Sequence, residues 1–176
     1  MAGKKGEMAY QIARRGVELK KDLEYALVRN QASSAGSSSA ARVMGGLESS
    51  ISTNKAVGSS GAQTAISGAA WTAPTDGTQR AFTEVLVKGV IKDMWTNGGN
   101  PKIAMLGPFN KQAFSGFSGI AVNRYQVPGV EQGKIIGAAD VYVSDFGETM
   151  TVPSRVQRDR TALIIDPEFA AVAYLR

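Results

Sequence analysis

The 176-residue sequence contains neither cysteine nor histidine. Without cysteine, disulfides and thiolate zinc sites are excluded. Without histidine, the usual general base, the Ser-His-Asp arrangement and most transition-metal sites fall away as well. Aromatic residues at 7% and charged residues at 20% are both modest. No apolar run reaches membrane-spanning length, and the opening MAGKKG lacks the apolar segment of a secretory signal. There is no Walker-type phosphate loop, no dinucleotide glycine fingerprint, no metalloprotease helix motif and no twelve-residue calcium loop.

What remains is a chain able to bury one good core, with room for a smaller lobe. Its net charge of +5 permits contact with an acidic surface or nucleic acid without demanding it. The clearest ordered stretch is Ala81 to Phe117. Phe82, Val85, Leu86, Val90 and Met94 recur at helical spacing, with Thr75, Asp76 and Thr78 as candidate caps. Asn97-Gly98-Gly99-Asn100-Pro101 stops that helix; a phosphate cradle is the weaker reading of the two glycines. Ile103 to Leu106 suits a buried strand, and Gly107-Pro108 opens a second helix to Phe117, carrying Phe109, Ala113, Phe114 and Phe117.

Ahead of this module, Glu7 to Asn30 reads as a long amphipathic helix with Met8, Ile12, Leu19, Leu23 and Leu27 largely on one face, and Gly16 as a place for a bend. Arg14, Arg15, Lys20, Lys21 and Arg29 give it a basic cast. Residues 31–80 are rich in Ser, Gly and Ala and offer few large apolar groups to compensate for ordering the backbone. Trp71 is their candidate anchor, for core packing or for a subunit contact. Arg124 to Val130 reads as extended or loop. Ala138 to Ser144, a turn at Phe146-Gly147-Glu148, the apolar Met150 and Val152, Thr161 to Ile165, a turn at Asp166-Pro167-Glu168, and Phe169 to Leu175 together suggest an antiparallel meander packed on helices. The organisation expected is residues 1–30, 31–80 and 81–176, in an α+β fold.

Candidate chemistry is thin. Asp140, Asp145, Glu148, Asp159, Asp166 and Glu168 are the only plausible acid–base or hard-metal set, and they lie at strand ends where solvated turn acids are common. Arg155, Arg158, Asp159 and Arg160 form a mixed patch, read as surface charge or intersubunit ion pairing. A nucleic-acid module would use Arg14, Arg15, Lys20 and Lys21 as phosphate contacts. A carboxylate enzyme would need two of the acids to converge in a closed pocket.

A dispersed set of short matches carries more weight. Tyr10-Gln11-Ile12-Ala13, Glu18-Leu19-Lys20-Lys21-Asp22-Leu23-Glu24 and Gly46-Leu47-Glu48 resemble the start of a family of tailed-phage major head proteins. The similarity continues through Trp95, Gly98-Gly99-Asn100-Pro101, Gly107-Pro108-Phe109-Asn110-Lys111 and Tyr142-Val143-Ser144-Asp145-Phe146-Gly147. It ends in Val152-Pro153, Arg155, Asp166-Pro167-Glu168 and Ala173-Tyr174-Leu175-Arg176. The resemblance implies an HK97-like capsid fold, with Glu7 to Asn30 as the spine helix and antiparallel strands packed against helices in axial and peripheral parts. It also implies a structural subunit that assembles through pentamers and hexamers into an icosahedral shell around double-stranded DNA. No catalytic, cofactor-binding or metal residues are implied, and no cofactor. Implied partners are further copies of the chain, scaffold or decoration proteins, and DNA held non-specifically, with no membrane. The implied location is the virion, and the host cytoplasm before assembly. Compared with that family, little precedes the helix to form an arm and the further C-terminal segment is missing. A truncated product that stays monomeric or makes small oligomers is the corresponding expectation.

Overall fold

A computed structural model of the chain describes residues 6–63, 71–117 and 140–173. The chain divides into two compact units: Met1–Ser52 with Gln63–Pro74, and Thr53–Ala62 with Thr75–Arg176.

The first unit is built on α1, Glu7–Val28, a run of good helix formers that continues unbroken through Gly16. Glu7 stands in its first turn, where an acid complements the helix dipole, and accepts a bond from the Gln11 side-chain amide at 2.9 Å. The helix ends on Val28, which is fully buried. The following Ser/Gly/Ala-rich chain is held by backbone pairs. Ser34 and Val43 exchange two bonds at 2.9 and 3.0 Å, and Gly46 donates to the Gln31 carbonyl at 3.0 Å. A Cβ at Gly46 would collide with the Arg29 carbonyl, so only glycine lets the chain close against the end of α1. A short helix α2, Leu47–Ser50, follows. Trp71 packs over Gly45 and is pinned by Ser33: its N–H donates to Ser33 Oγ at 2.8 Å and its carbonyl accepts from the Ser33 N–H at 2.9 Å. Of the two roles open to Trp71, the packing role within the chain is occupied.

In the second unit, Ala62 and Thr75 pair as an isolated antiparallel bridge. Then come α3 (Glu84–Thr96), β1 (Ile103–Leu106), α4 (Pro108–Ser115), β2 (Val141–Ser144), β3 (Gly147–Pro153) and β4 (Ala162–Ile165). The stop after α3 is as the sequence predicts. Gly98 takes φ +87°, and Gly99 donates back to the Met94 carbonyl at 3.0 Å. The apolar phase of α3 differs from expectation. Val87 and Ile91 are its buried residues, whereas Val85 is exposed. With Val85, Leu86, Val87, Val90 and Ile91 all apolar, periodicity does not settle which side faces inward. The helix also starts at Glu84 after Thr83, with no side-chain cap, so Thr75, Asp76 and Thr78 do not cap it. On α4, Phe114 is buried with Phe117 just beyond, but Phe109 is exposed.

The strands form one sheet in the order β2-β3-β1-β4. β1 runs parallel to β3 and antiparallel to β4, while β2 and β3 make a hairpin. The expected antiparallel meander is thereby corrected: β1 inserts between β3 and β4. Its short run of Ile, Ala, Met and Leu is apolar on both faces, which suits an interior strand. The expected strand from Phe169 is also corrected, since residues 169–173 form none and Phe169 is exposed. Arg124 to Val130, Ala138 and Ala139, and the terminal residues 174–176 lie outside the described residues.

One face of the sheet carries the core. Leu106, Tyr142, Ala162 and Ile164 meet Val87 and Ile91 of α3 and Phe114 and Phe117 from the α4 end, with Phe82 beside them. The rings are close, Phe114 lying 5.1 Å from Phe117 and 5.6 Å, edge-on, from Tyr142. This is a mixed α+β arrangement with a four-stranded sheet, consistent with a capsid-like fold.

Candidate assembly surfaces

Because side chains alternate across a strand, the same register that fills the core defines the opposite face. Val141 pairs with Met150, Met150 with Ile103, and Ile103 with Ile165. In the neighbouring rows lie Val143 with Glu148, and Val152 with Met105 and Leu163. This face is exposed over β2 and β3 alone: Val143 is 71% and Met150 55% exposed, and Val141 and Val152 are exposed too, whereas Leu163 of β4 is buried and Ile103, Met105 and Ile165 are half-buried. A sheet surface turned to solvent is ordinarily polar; on the exposed β2–β3 part of this one, Glu148 stands among apolar side chains.

β3 makes the inversion plain. Its buried side chains are Thr149 and Thr151, and its exposed ones include Met150 and Val152. The two threonines tolerate burial because each is bonded. Thr149 Oγ1 donates to the Pro101 carbonyl at 2.6 Å. Thr151 Oγ1 donates to the Asp140 carbonyl at 3.1 Å and accepts from Lys111 Nζ at 2.6 Å. A satisfied buried hydroxyl avoids the penalty of an unpaired one. Sequence reasoning did not find this face. Periodicity alone points Met150 and Val152 inward, and the signal available was the apolar content of both phases of β2, with Val141, Tyr142 and Val143 in succession.

α1 supplies a second apolar surface. Met8, Ile12 and Leu19 are 76%, 66% and 68% exposed, and at 3.6 residues per turn they share one stripe. Val28, the buried residue, falls on the opposite side. The basic residues of α1 are not gathered. Arg14 and Lys21 share a side, Arg15 and Lys20 point roughly a quarter-turn or more to either side of it, and Arg15 binds Glu18 at 2.8 Å. The four proposed phosphate contacts therefore form no common face.

The charged groups singled out in the sequence are mostly tied within the chain. Arg158 makes a two-pronged bond to Asp76 at 2.9 and 2.7 Å, and Arg160 joins at 3.4 Å. That part of the mixed patch is thus an intrachain ion cluster. Asp140 pairs with Lys111 and Glu168 with Lys102. The buried Asp166 carboxylate accepts the N–H of Asn100 at 2.7 Å and of Glu168 at 3.1 Å. Those two backbone bonds, Asn100 first, hold its pKa below the ordinary carboxylate value. On α3, Lys88 and then the Tyr142 hydroxyl lower the Glu84 carboxyl, and burial is the leading cause that raises Tyr142. Asp145 and Glu148 lie at the β2–β3 hairpin, and Asp159 sits against Gly107 at the end of β1. Among the described residues no three acids come together as a metal site, and no helix is long and apolar enough to cross a membrane.

Compared with known families, residues 1–176 match the model of the family described as SU10 major capsid protein. No curated protein matches the chain.

Proposed function

The chain belongs to the SU10 major capsid protein family, and from that premise we propose that it is a shell subunit that works by repeated contacts between copies, without chemical turnover. In this reading α1 is the spine helix of an HK97-like subunit, and copies join in pentamers and hexamers of an icosahedral shell around double-stranded DNA. Scaffold or decoration proteins are further partners, and the chain resides in the host cytoplasm until it enters the virion. The observation that carries the reading is the family match along the whole chain. The exposed apolar side chains of α1 (Met8, Ile12, Leu19) and of β2–β3 (Val141, Val143, Met150, Val152) are consistent with it, as surfaces that contacts between copies could bury.

Sedimentation velocity across a concentration series, followed by electron microscopy of the fast fraction, tests this. The expected result is concentration-dependent growth from monomer to capsomer-sized rings. A chain that stays strictly monomeric at the highest soluble concentration overturns it. A salt-sensitive affinity for duplex DNA without self-association would instead favour phosphate contacts by Arg14, Arg15, Lys20 and Lys21.

A further inference from the structure

Asn97-Gly98 is the one Asn-Gly pair in the sequence, and it closes α3, with Asn97 as the C-cap. In such a pair the backbone nitrogen after the asparagine can attack its side chain with little hindrance, because glycine carries no Cβ. We propose that Asn97 is a deamidation site that the fold holds shut, with Asn54 as the catch.

The chemistry needs only the chain and water. The Gly98 nitrogen bonds to Asn97 Cγ and closes a succinimide ring. The side-chain nitrogen leaves as ammonia, carrying away the proton that Gly98 gave up. Water then opens the ring. Cleavage of the new bond gives aspartate; cleavage of the original peptide bond gives isoaspartate, with the main chain rerouted through the side chain.

The folded chain opposes the first bond in three ways. At ψ 11° the Gly98 nitrogen is turned toward the backbone nitrogen of Asn97 and away from its Cβ, so closure needs a rotation about the Cα–C bond. The Gly98 N–H donates to the Trp95 carbonyl at 3.0 Å, and that rotation breaks the bond. The side-chain amide is tethered as well. Asn97 Nδ2 donates to the Asp93 carbonyl at 2.8 Å and to Asn54 Oδ1 at 2.6 Å. The Asp93 bond is part of the helix end itself. Asn54 comes from far along the chain, so it is the tether that can be released while α3 stays intact. Asn97 is exposed, and water reaches the ring once the end of the helix opens, a local event that costs less than unfolding the sheet.

The modification would not be silent. Aspartate has no side-chain N–H for either partner, and it sets a negative charge at the C-terminal end of α3, where the helix dipole disfavours one. Isoaspartate also adds a methylene to the main chain just ahead of the turn in which Gly99 reaches the Met94 carbonyl at 3.0 Å. Either product loosens, in one direction only, the stop between α3 and β1.

Peptide mapping by mass spectrometry of the full chain, aged folded and in urea at mildly alkaline pH, tests this. Folded wild-type is expected to convert at least about tenfold more slowly than the unfolded chain. Asn54→Gly removes the tether and suits the φ of +50° at that position. It is expected to convert at least about threefold faster than wild-type when folded, and at the same rate in urea. Asn54→Asp keeps an acceptor for Asn97 Nδ2 and should stay as slow as wild-type. Equal rates for folded and unfolded wild-type overturn the proposal, and so does a folded Asn54→Gly chain no faster than wild-type. If Asn54→Asp is as fast as Asn54→Gly, the bond to Asn97 is not the catch and the proposal falls too.

Discussion

The two units hold themselves together by different means. In the second, six buried residues from two helices, two strands and the turn just after α4 interlock, with Phe82, Phe114, Phe117 and Tyr142 in ring contact. In the first, Val28 is the one hydrophobic side chain that is fully buried among the described residues. What orders the rest is backbone pairing, the Ser33–Trp71 clasp and the close approach at Gly46. Apolar burial stabilises in proportion to area, whereas an intramolecular hydrogen bond adds a net of only about 1 kcal/mol. A Ser/Gly/Ala-rich segment can therefore take a defined path and still open more easily than the sheet.

The chain carries its own reporters for this contrast: its two tryptophans, Trp71 and Trp95, lie one in each unit. With Trp71→Phe, fluorescence follows the second unit through Trp95, whose ring lies 5.1 Å from Phe146. With Trp95→Phe, it follows the first. The largest effect is expected from Phe114→Ala. Removing that ring costs the second unit about 3–5 kcal/mol, read as a lower urea midpoint of the Trp95 signal. An unchanged midpoint would mean that the aromatic cluster is not what holds the sheet to its helices.

Gly46→Val comes next. A side chain forced against the Arg29 carbonyl should destabilise the first unit by about 1–3 kcal/mol, moving the Trp71 transition and leaving that of Trp95 in place. If both transitions move together, the units unfold as one and the comparison breaks.

The smallest effect concerns pH. Asp166 is held below its ordinary carboxylate value by the N–H groups of Asn100 and Glu168. As pH falls, the unfolded chain therefore takes up its proton first. The stabilisation is present in full above the ordinary value and is lost as pH drops through the lowered folded-state value. Asp166→Asn should lower the Trp95 midpoint slightly at neutral pH and flatten its acid dependence. Acid curves that superimpose for the two proteins would assign the acid sensitivity to other carboxylates.

Much of the chain was legible before its structure. The helix over Glu7–Val28, the stop at Gly98-Gly99, the strand at Ile103–Leu106 and the hairpin after Val143 follow from local rules about periodicity, φ freedom and turn residues. The absence of histidine and cysteine removed whole classes of chemistry, and the dispersed family-like residues pointed to the family that the whole chain matches. These features depend on neighbours a few positions away, which a sequence displays directly.

What local rules do not contain is which neighbour arrives from far along the chain. β1 sits between β3 and β4 because residues about fifty positions away pair with it, so an expected meander became a mixed sheet. The same pairing decided the sheet's faces. Side-chain direction has a period of two, so register alone determines whether Thr149 and Thr151 or Met150 and Val152 point inward. In this protein the threonines turn in, each satisfied by its own hydrogen bonds, and the methionine and valine are left outside. Composition supplied an apolar strand; only the tertiary register turned the Met150 and Val152 side outward.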